Sequence, residues 1–311
     1  MGNGNSDFSK RITIAIINSI RDKTDLLYDI LINDEAHHSV SPLAKQFLLN
    51  NIFNKRLFLT ATLERSDDEH KFLTETLNIP ILYNYTQRDA INDNLLNEYD
   101  LVLQSIELSI QERLKYTRYH DYILANFQNF NYDYKQVLQY MIRGNLKARE
   151  LSKVFSERKK IIFNAENKVI ECIKLVSQHK DDKILVFTEE IHIAHKITHM
   201  LKDICKAQMY HSGMKKTQRD TVLQDFKDDK FNVLVSCKCL DEGLNVPSAN
   251  IAIIVSGNST ERQSIQRIGR VIRYEQGKKA VIYMLFAKET KEEDWIKTRI
   301  QNLKYKSITW R

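Results

Sequence analysis

Apolar positions along this chain of 311 residues follow two rhythms. Short, nearly unbroken apolar runs recur at 12–17, 26–33, 56–59, 183–188, 231–236, 252–255 and 280–285, the first three each ending in polar residues. Runs of this length without alternation suit strands buried on both faces, as in parallel sheets. The stretch 99–106 alternates before turning β-branched and is a further strand candidate. Elsewhere the apolar spacing becomes three and four, over 43–51, 218–226 and from 110 to about 175. In the last of these, Tyr119, Tyr122, Ile123, Phe127 and Phe130 mark a core stripe, and Gly144 and Asn145 form the clearest interruption. Residues 289–311 read as a charged helix and a basic tail that includes Lys304, Lys306, Trp310 and Arg311. Strands alternating with helices predict an α/β fold with parallel sheets.

Composition narrows the class. The length suits two domains, each with its own core, and 42% hydrophobic with 28% charged residues is globular. No apolar run is long enough to span a bilayer, and the polar residues 1–6 make no signal peptide, so no membrane partner is expected. Cys172, Cys205, Cys237 and Cys239 have no C-x-x-C spacing. Free thiols point to a reducing, intracellular setting, such as the cytoplasm of a bacterium or of a phage- or virus-infected cell. A formal charge of +7 and a pI near 9.0 permit a polyanionic partner without identifying one. His192, His195 and His199 share one helical face, which favours an amphipathic helix over a metal site. The cluster Arg158, Lys159 and Lys160 reads as a solvated helix face in preference to a phosphate contact.

The chemistry is concentrated at strand ends. The run 26–33 stops abruptly at Asp34 and Glu35, followed by Ala36, His37 and His38. Ligands of α/β proteins sit at the carboxyl ends of strands, and paired carboxylates there suit a Mg²⁺–nucleotide. The alternative is an acidic turn in solvent. The run 56–59 ends in Thr60, Ala61 and Thr62, and the run 231–236 opens onto Asp241, Glu242 and Gly243. A glycine there lets backbone approach a phosphate closely. Arg270 and Arg273, three apart after Gln266, would face one way on a helix, as two guanidinium groups aimed at a γ-phosphate do.

Together these stretches resemble the motifs of a superfamily 2 DEAH-type helicase or translocase. Residues 33–38 resemble motif II, 59–65 motif III, 183–188 motif IV, 240–247 motif V and 263–273 motif VI. The resemblance is closest to the branch holding XPB, the phage recombination helicases and the restriction-enzyme translocases. It implies two RecA-like parallel-sheet domains, the first truncated at its N-terminus, with a helical segment between them. Residues 1–78 would be the partial first domain and 79–180 the crossover and helical segment. Residues 181–288 would be the second domain and 289–311 a C-terminal helix and basic tail. It also implies ATP and Mg²⁺: Asp34 holds the ion through water and Glu35, beside the metal, positions the hydrolytic water. His37 couples the nucleotide site to the second domain, and Thr60 and Thr62 relay the nucleotide state. Gly243 and Asn245 contact nucleotide, Arg270 and Arg273 act as arginine fingers, and Gln266 is the sensing polar residue. Thr188, Ser212, Gly213 and Ser236 line a nucleic-acid groove, with DNA favoured over RNA. Asn245 departs from the Asp that many relatives use to hold the ribose, weakening that contact without removing it.

No G-x-x-x-x-G-K-[ST] phosphate loop precedes Asp34. The chain is therefore expected to begin inside the first ATPase domain. The loop would be supplied by a separate polypeptide, or lost by truncation or degeneration. The expected function is ATP-driven unwinding or translocation of DNA, with the loop provided in cis or in trans. The alternative is a non-catalytic nucleic-acid-binding or regulatory module.

Overall fold

The computed structural model describes residues 11–20, 22–61, 63, 68–237, 249–257, 268–269, 271, 279–301 and 303–311. The chain divides into two compact units, 1–84 and 85–311.

In the first unit, β1 (Leu27–Asn33) and β2 (Ile52–Phe58) pair in parallel, with Leu31 opposite Arg56 and Asn33 opposite Phe58. The crossover between them is α2 (Pro42–Leu49), where a proline occupies the first turn, in which its missing N–H costs nothing. The helix buries Ala44, Phe47 and Leu48. Asn51 locks this unit: its Nδ2 donates to the Phe47 and Lys23 carbonyls at 2.7 and 2.9 Å, and its Oδ1 accepts from Leu26 N at 2.8 Å. The strand expected over 12–17 does not form. Instead 13–16 are irregular and Ile17–Ile20 make a short helix, α1, begun by a Ser19 N–H bond to the Ile16 carbonyl at 2.8 Å. Among the described residues β1 pairs only with β2 and no ladder takes in 12–17, whose Ile12, Ile14 and Ile16 stay exposed.

The second unit is built on a seven-stranded sheet in which every neighbouring pair is parallel, ordered β5-β6-β4-β7-β8-β3-β9. After α3 (Gln87–Asn92) comes β3 (Tyr99–Ile106). The chain then leaves the sheet as α4 (Ile110–Phe127), α5 (Tyr134–Ile142) and α6 (Leu146–Phe163). These helices have their own core of Ile123, Phe130, Val137, Ala148 and Leu151. Gly144 turns with φ +87° before Asn145, whose side chain caps α6 by accepting from Ala148 N at 2.9 Å. The basic face expected at 158–160 is only partly solvated. Arg158 is buried and donates to His120 Nδ1 at 2.9 Å.

From α7 (Glu166–Gln178) the pattern is regular: β4 (Ile184–Thr188), α8 (Ile191–Met200), β5 (Ala207–His211), α9 (Lys216–Lys227), β6 (Val233–Cys237), β7 (Ile251–Ile254) and β8 (Ala280–Ala287). Along β4, Leu185 and Phe187 enter one core cluster while Ile184 and Val186 enter another, so both sheet faces are covered. The last elements are α10 (Glu292–Ile300) and β9 (Ser307–Trp310). The expected basic tail is thus largely a strand, hydrogen-bonded in parallel along β3 from Asp100 to Leu103.

Candidate functional site

The carboxyl ends of β1 and β2 are tied together by backbone. Leu59 N donates to the Asn33 carbonyl and Ala36 N returns a bond to the Leu59 carbonyl, both at 2.9 Å. Between these ties the chain must fold back within two residues. Glu35 absorbs the turn with φ 51° and ψ 49°, a left-handed conformation uncommon for a residue with a Cβ. Asp34, exposed, accepts from the Glu35 N–H through Oδ1 at 2.9 Å, which fixes its carboxylate at the strand end.

The kink brings the remaining polar groups into contact. His37, with a side chain sealed from solvent, places Nδ1 3.2 Å from Thr60 Oγ1 and 3.4 Å from Glu35 Oε2. Its ring centroid lies 4.0 Å from that of His38. Ser39 Oγ donates to Asn33 Oδ1 at 3.0 Å, bracing the loop from the other side. Asp34, Glu35, His37 and Thr60 therefore form one constellation, and the Asn33–Ser39 brace is an addition the motif pattern did not single out. Among the described residues no group of three or more His, Cys, Asp or Glu side chains is arranged to hold a metal ion. One exposed carboxylate beside a second suits a Mg²⁺ that keeps most of its water and shares phosphate oxygens.

In the second unit the groove candidates separate into two kinds. Thr188 and Ser236 are buried at the ends of adjacent strands, with Thr188 Oγ1 donating to the Ser236 carbonyl at 3.4 Å. Ser212 and Gly213 are exposed in the turn after β5, where Gly213 N donates to His211 Nδ1 at 3.1 Å. Burial and the neighbouring His195 hold the His211 imidazole below the usual histidine range, in the neutral form that accepts this bond. Thr62, Gly243, Asn245, Gln266, Arg270 and Arg273 lie outside the described residues. Ile268 and Val271, at helical spacing between them, are fully buried in the sheet core.

The sequence model of the helicase conserved C-terminal domain matches residues 167–275. Over 299 residues the chain is 28% identical to the DNA 3'-5' translocase XPB2 of Sulfurisphaera tokodaii, covering 92% of this chain and 66% of that one. The chain carries a helicase conserved C-terminal domain and is similar to superfamily 2 helicases. A shorter match, 32% identical over 105 residues, is to UvrABC system protein B of Bacillus cereus, across 32% of the chain and 16% of that protein. The fold of this chain matches the crystal structure of the Pyrococcus furiosus Hef helicase domain with a TM-score of 0.52 at 16% identity, over 90% of this chain and 76% of that one. The RecA-like parallel-sheet architecture is thus shared, while the chain spans only part of the curated relatives it matches.

Proposed function

We propose that this chain is the motor portion of an ATP-dependent DNA translocase or helicase, with the phosphate-binding loop contributed in cis or in trans. The observation that carries the reading is the contact of Glu35, His37 and Thr60 beside Asp34 at two parallel strand ends. In this reading Asp34 holds the magnesium of the nucleotide through water, and Glu35 accepts a proton from the attacking water. His37, touching both Glu35 and Thr60, senses whether that carboxylate is engaged and passes the state to the strand end of β2. Bound ATP with Mg²⁺ supplies the phosphoryl group and the charge compensation. Arg270 and Arg273 stabilise charge developing on the phosphoryl group, Gln266 senses it, and Gly243 and Asn245 hold the nucleotide.

Nucleic acid is the partner that the charge favours. Between residues 110 and 163 lie eleven Lys or Arg and five Asp or Glu, so much of the net +7 resides on the helical segment. DNA as the substrate follows the relative named as a DNA translocase. Exposed Ser212 and Gly213 are suited to phosphate contact, and buried Thr188 and Ser236 to shaping the strand ends beneath.

The test is DNA-stimulated ATP hydrolysis by the chain, alone and with a polypeptide carrying a strand followed by G-x-x-x-x-G-K-[ST]. Turnover in either case that Glu35→Gln reduces by about 10²–10⁴, with DNA affinity retained, supports the motor. Because the 311 residues carry no such loop, a second reading is a DNA-binding module without turnover. Salt-sensitive DNA binding with no hydrolysis in either case establishes that reading and overturns the motor.

A further inference from the structure

Helix α10 is fastened at both ends by charged groups taken out of water. At its start Glu292 and Lys168 of α7, both with side chains sealed from solvent, bond at 2.8 Å through both carboxylate oxygens, and Oε2 also accepts from Ala287 N at 2.8 Å. Burial drives the Lys168 ammonium below its ordinary pKa, with the Arg299 charge adding to that direction and Glu292 opposing it. At its end Arg299, 1% exposed, donates from Nη2 to the Gly257 carbonyl at 2.5 Å.

Gly257 ends the chain's exit from β7. Val255 N bonds the Phe187 carbonyl at 3.0 Å and Ser256 Oγ accepts from Glu189 N at 3.0 Å, so the exit is registered against the end of β4. From Gly257 the chain proceeds to Gln266, Arg270 and Arg273. Ile268 and Val271 re-enter the core cluster that also holds Ile296 of α10. A guanidinium is costly to bury, and an apolar side chain of similar volume would fill the space more cheaply. What an apolar residue cannot do is hold a carbonyl in place.

We propose that Arg299 is a positioning residue that fixes the Gly257 carbonyl, and with it the point from which the arginine-bearing segment departs, against the anchored helix α10. The consequence for catalysis rests on the nucleotide roles proposed above for Arg270 and Arg273; the positioning itself does not.

Hydrogen exchange of the full chain, followed by mass spectrometry, reads the positioning without nucleotide. Four proteins are compared: wild type, Arg299→Met, Arg299→Lys and Leu175→Ala, the last a core truncation in α7. Arg299→Met is expected to speed exchange at least tenfold in peptides holding 255–257 and 268–271, with β4 and β6 unchanged. Arg299→Lys, still a donor, should remain within threefold of wild type, and Leu175→Ala should show no selective change there. Equal exchange in wild type and Arg299→Met overturns the proposal, as does a rise spread evenly over β4, β6 and β8. In the ATPase assay, Arg299→Met should lower kcat at least tenfold while KM for ATP moves less than threefold. A wild-type chain without hydrolysis, both alone and with the loop-bearing polypeptide, sinks the motor reading, and the exchange pattern still decides the role of Arg299.

Discussion

Glu35 sets backbone comfort against chemistry. A left-handed residue with a Cβ costs about 1–2 kcal/mol, and the two backbone ties on either side leave this loop no easier path. Glu35→Gly is therefore expected to be more stable than Glu35→Ala by about 1 kcal/mol in urea unfolding, while both lack the carboxylate on which the proposed hydrolysis rests. Equal midpoints would show that the turn carries no strain. At His120 burial is the larger cause, and the adjacent Arg158 the next, that hold the imidazole below its ordinary pKa. The folded value is the lower one, so the unfolded chain takes up the proton first as pH falls. Stability from this residue is present above about pH 6.5 and declines as pH drops through that value towards the depressed one. Thermal unfolding should show His120→Gln with a flatter pH dependence than wild type between about pH 5 and 7. The Asp34–Glu35–His37 group was legible in the sequence because its members are contiguous at a strand end. The burial of Arg158 and Arg299 was not, since a lone arginine in a charged helix carries no mark of what will pack over it.

Among the elements, the strand runs were readable because β7 is apolar throughout, β4 and β6 are apolar but for Thr188 and Ser236, and all three are buried along their length. The places where reading failed are those where pairing decides. The run 12–17 is as apolar as a core strand yet joins no ladder among the described residues, whereas β9, with three of its four positions exposed, pairs along the edge of β3. The same distinction governs the Lys168–Glu292 pair, which joins α7 to α10 and which neither helix announces. Its energetic signature should be that of a buried ion pair: Lys168→Met alone or Glu292→Leu alone costs about 3–5 kcal/mol, because each leaves one charge uncompensated. The double variant should recover most of that loss in a double-mutant cycle by urea unfolding. Additive losses would mean that the two groups do not interact in the folded protein.

Across the whole molecule, stability should be distributed as unevenly as the core. Among the described residues, 85–311 hold a seven-stranded sheet and four core clusters, two of them filling its opposite faces. Among the described residues, 1–84 gather seven buried apolar side chains around two strands, while Ile12, Ile14, Ile30 and Ile32 are each more than half exposed. A two-stranded sheet with so small a core lies near the limit of independent stability, and exposed apolar side chains on it promote association. The fragment 85–311 is accordingly expected to unfold in one cooperative step close to the main transition of the full chain. The fragment 1–84 should lack a cooperative transition and should bind a hydrophobic dye. Calorimetry and dye fluorescence on the two fragments check this. A cooperative transition in 1–84 alone would show that two strands, one crossover helix and the Asn51 lock suffice to hold the Asp34–Glu35–His37–Thr60 constellation in place.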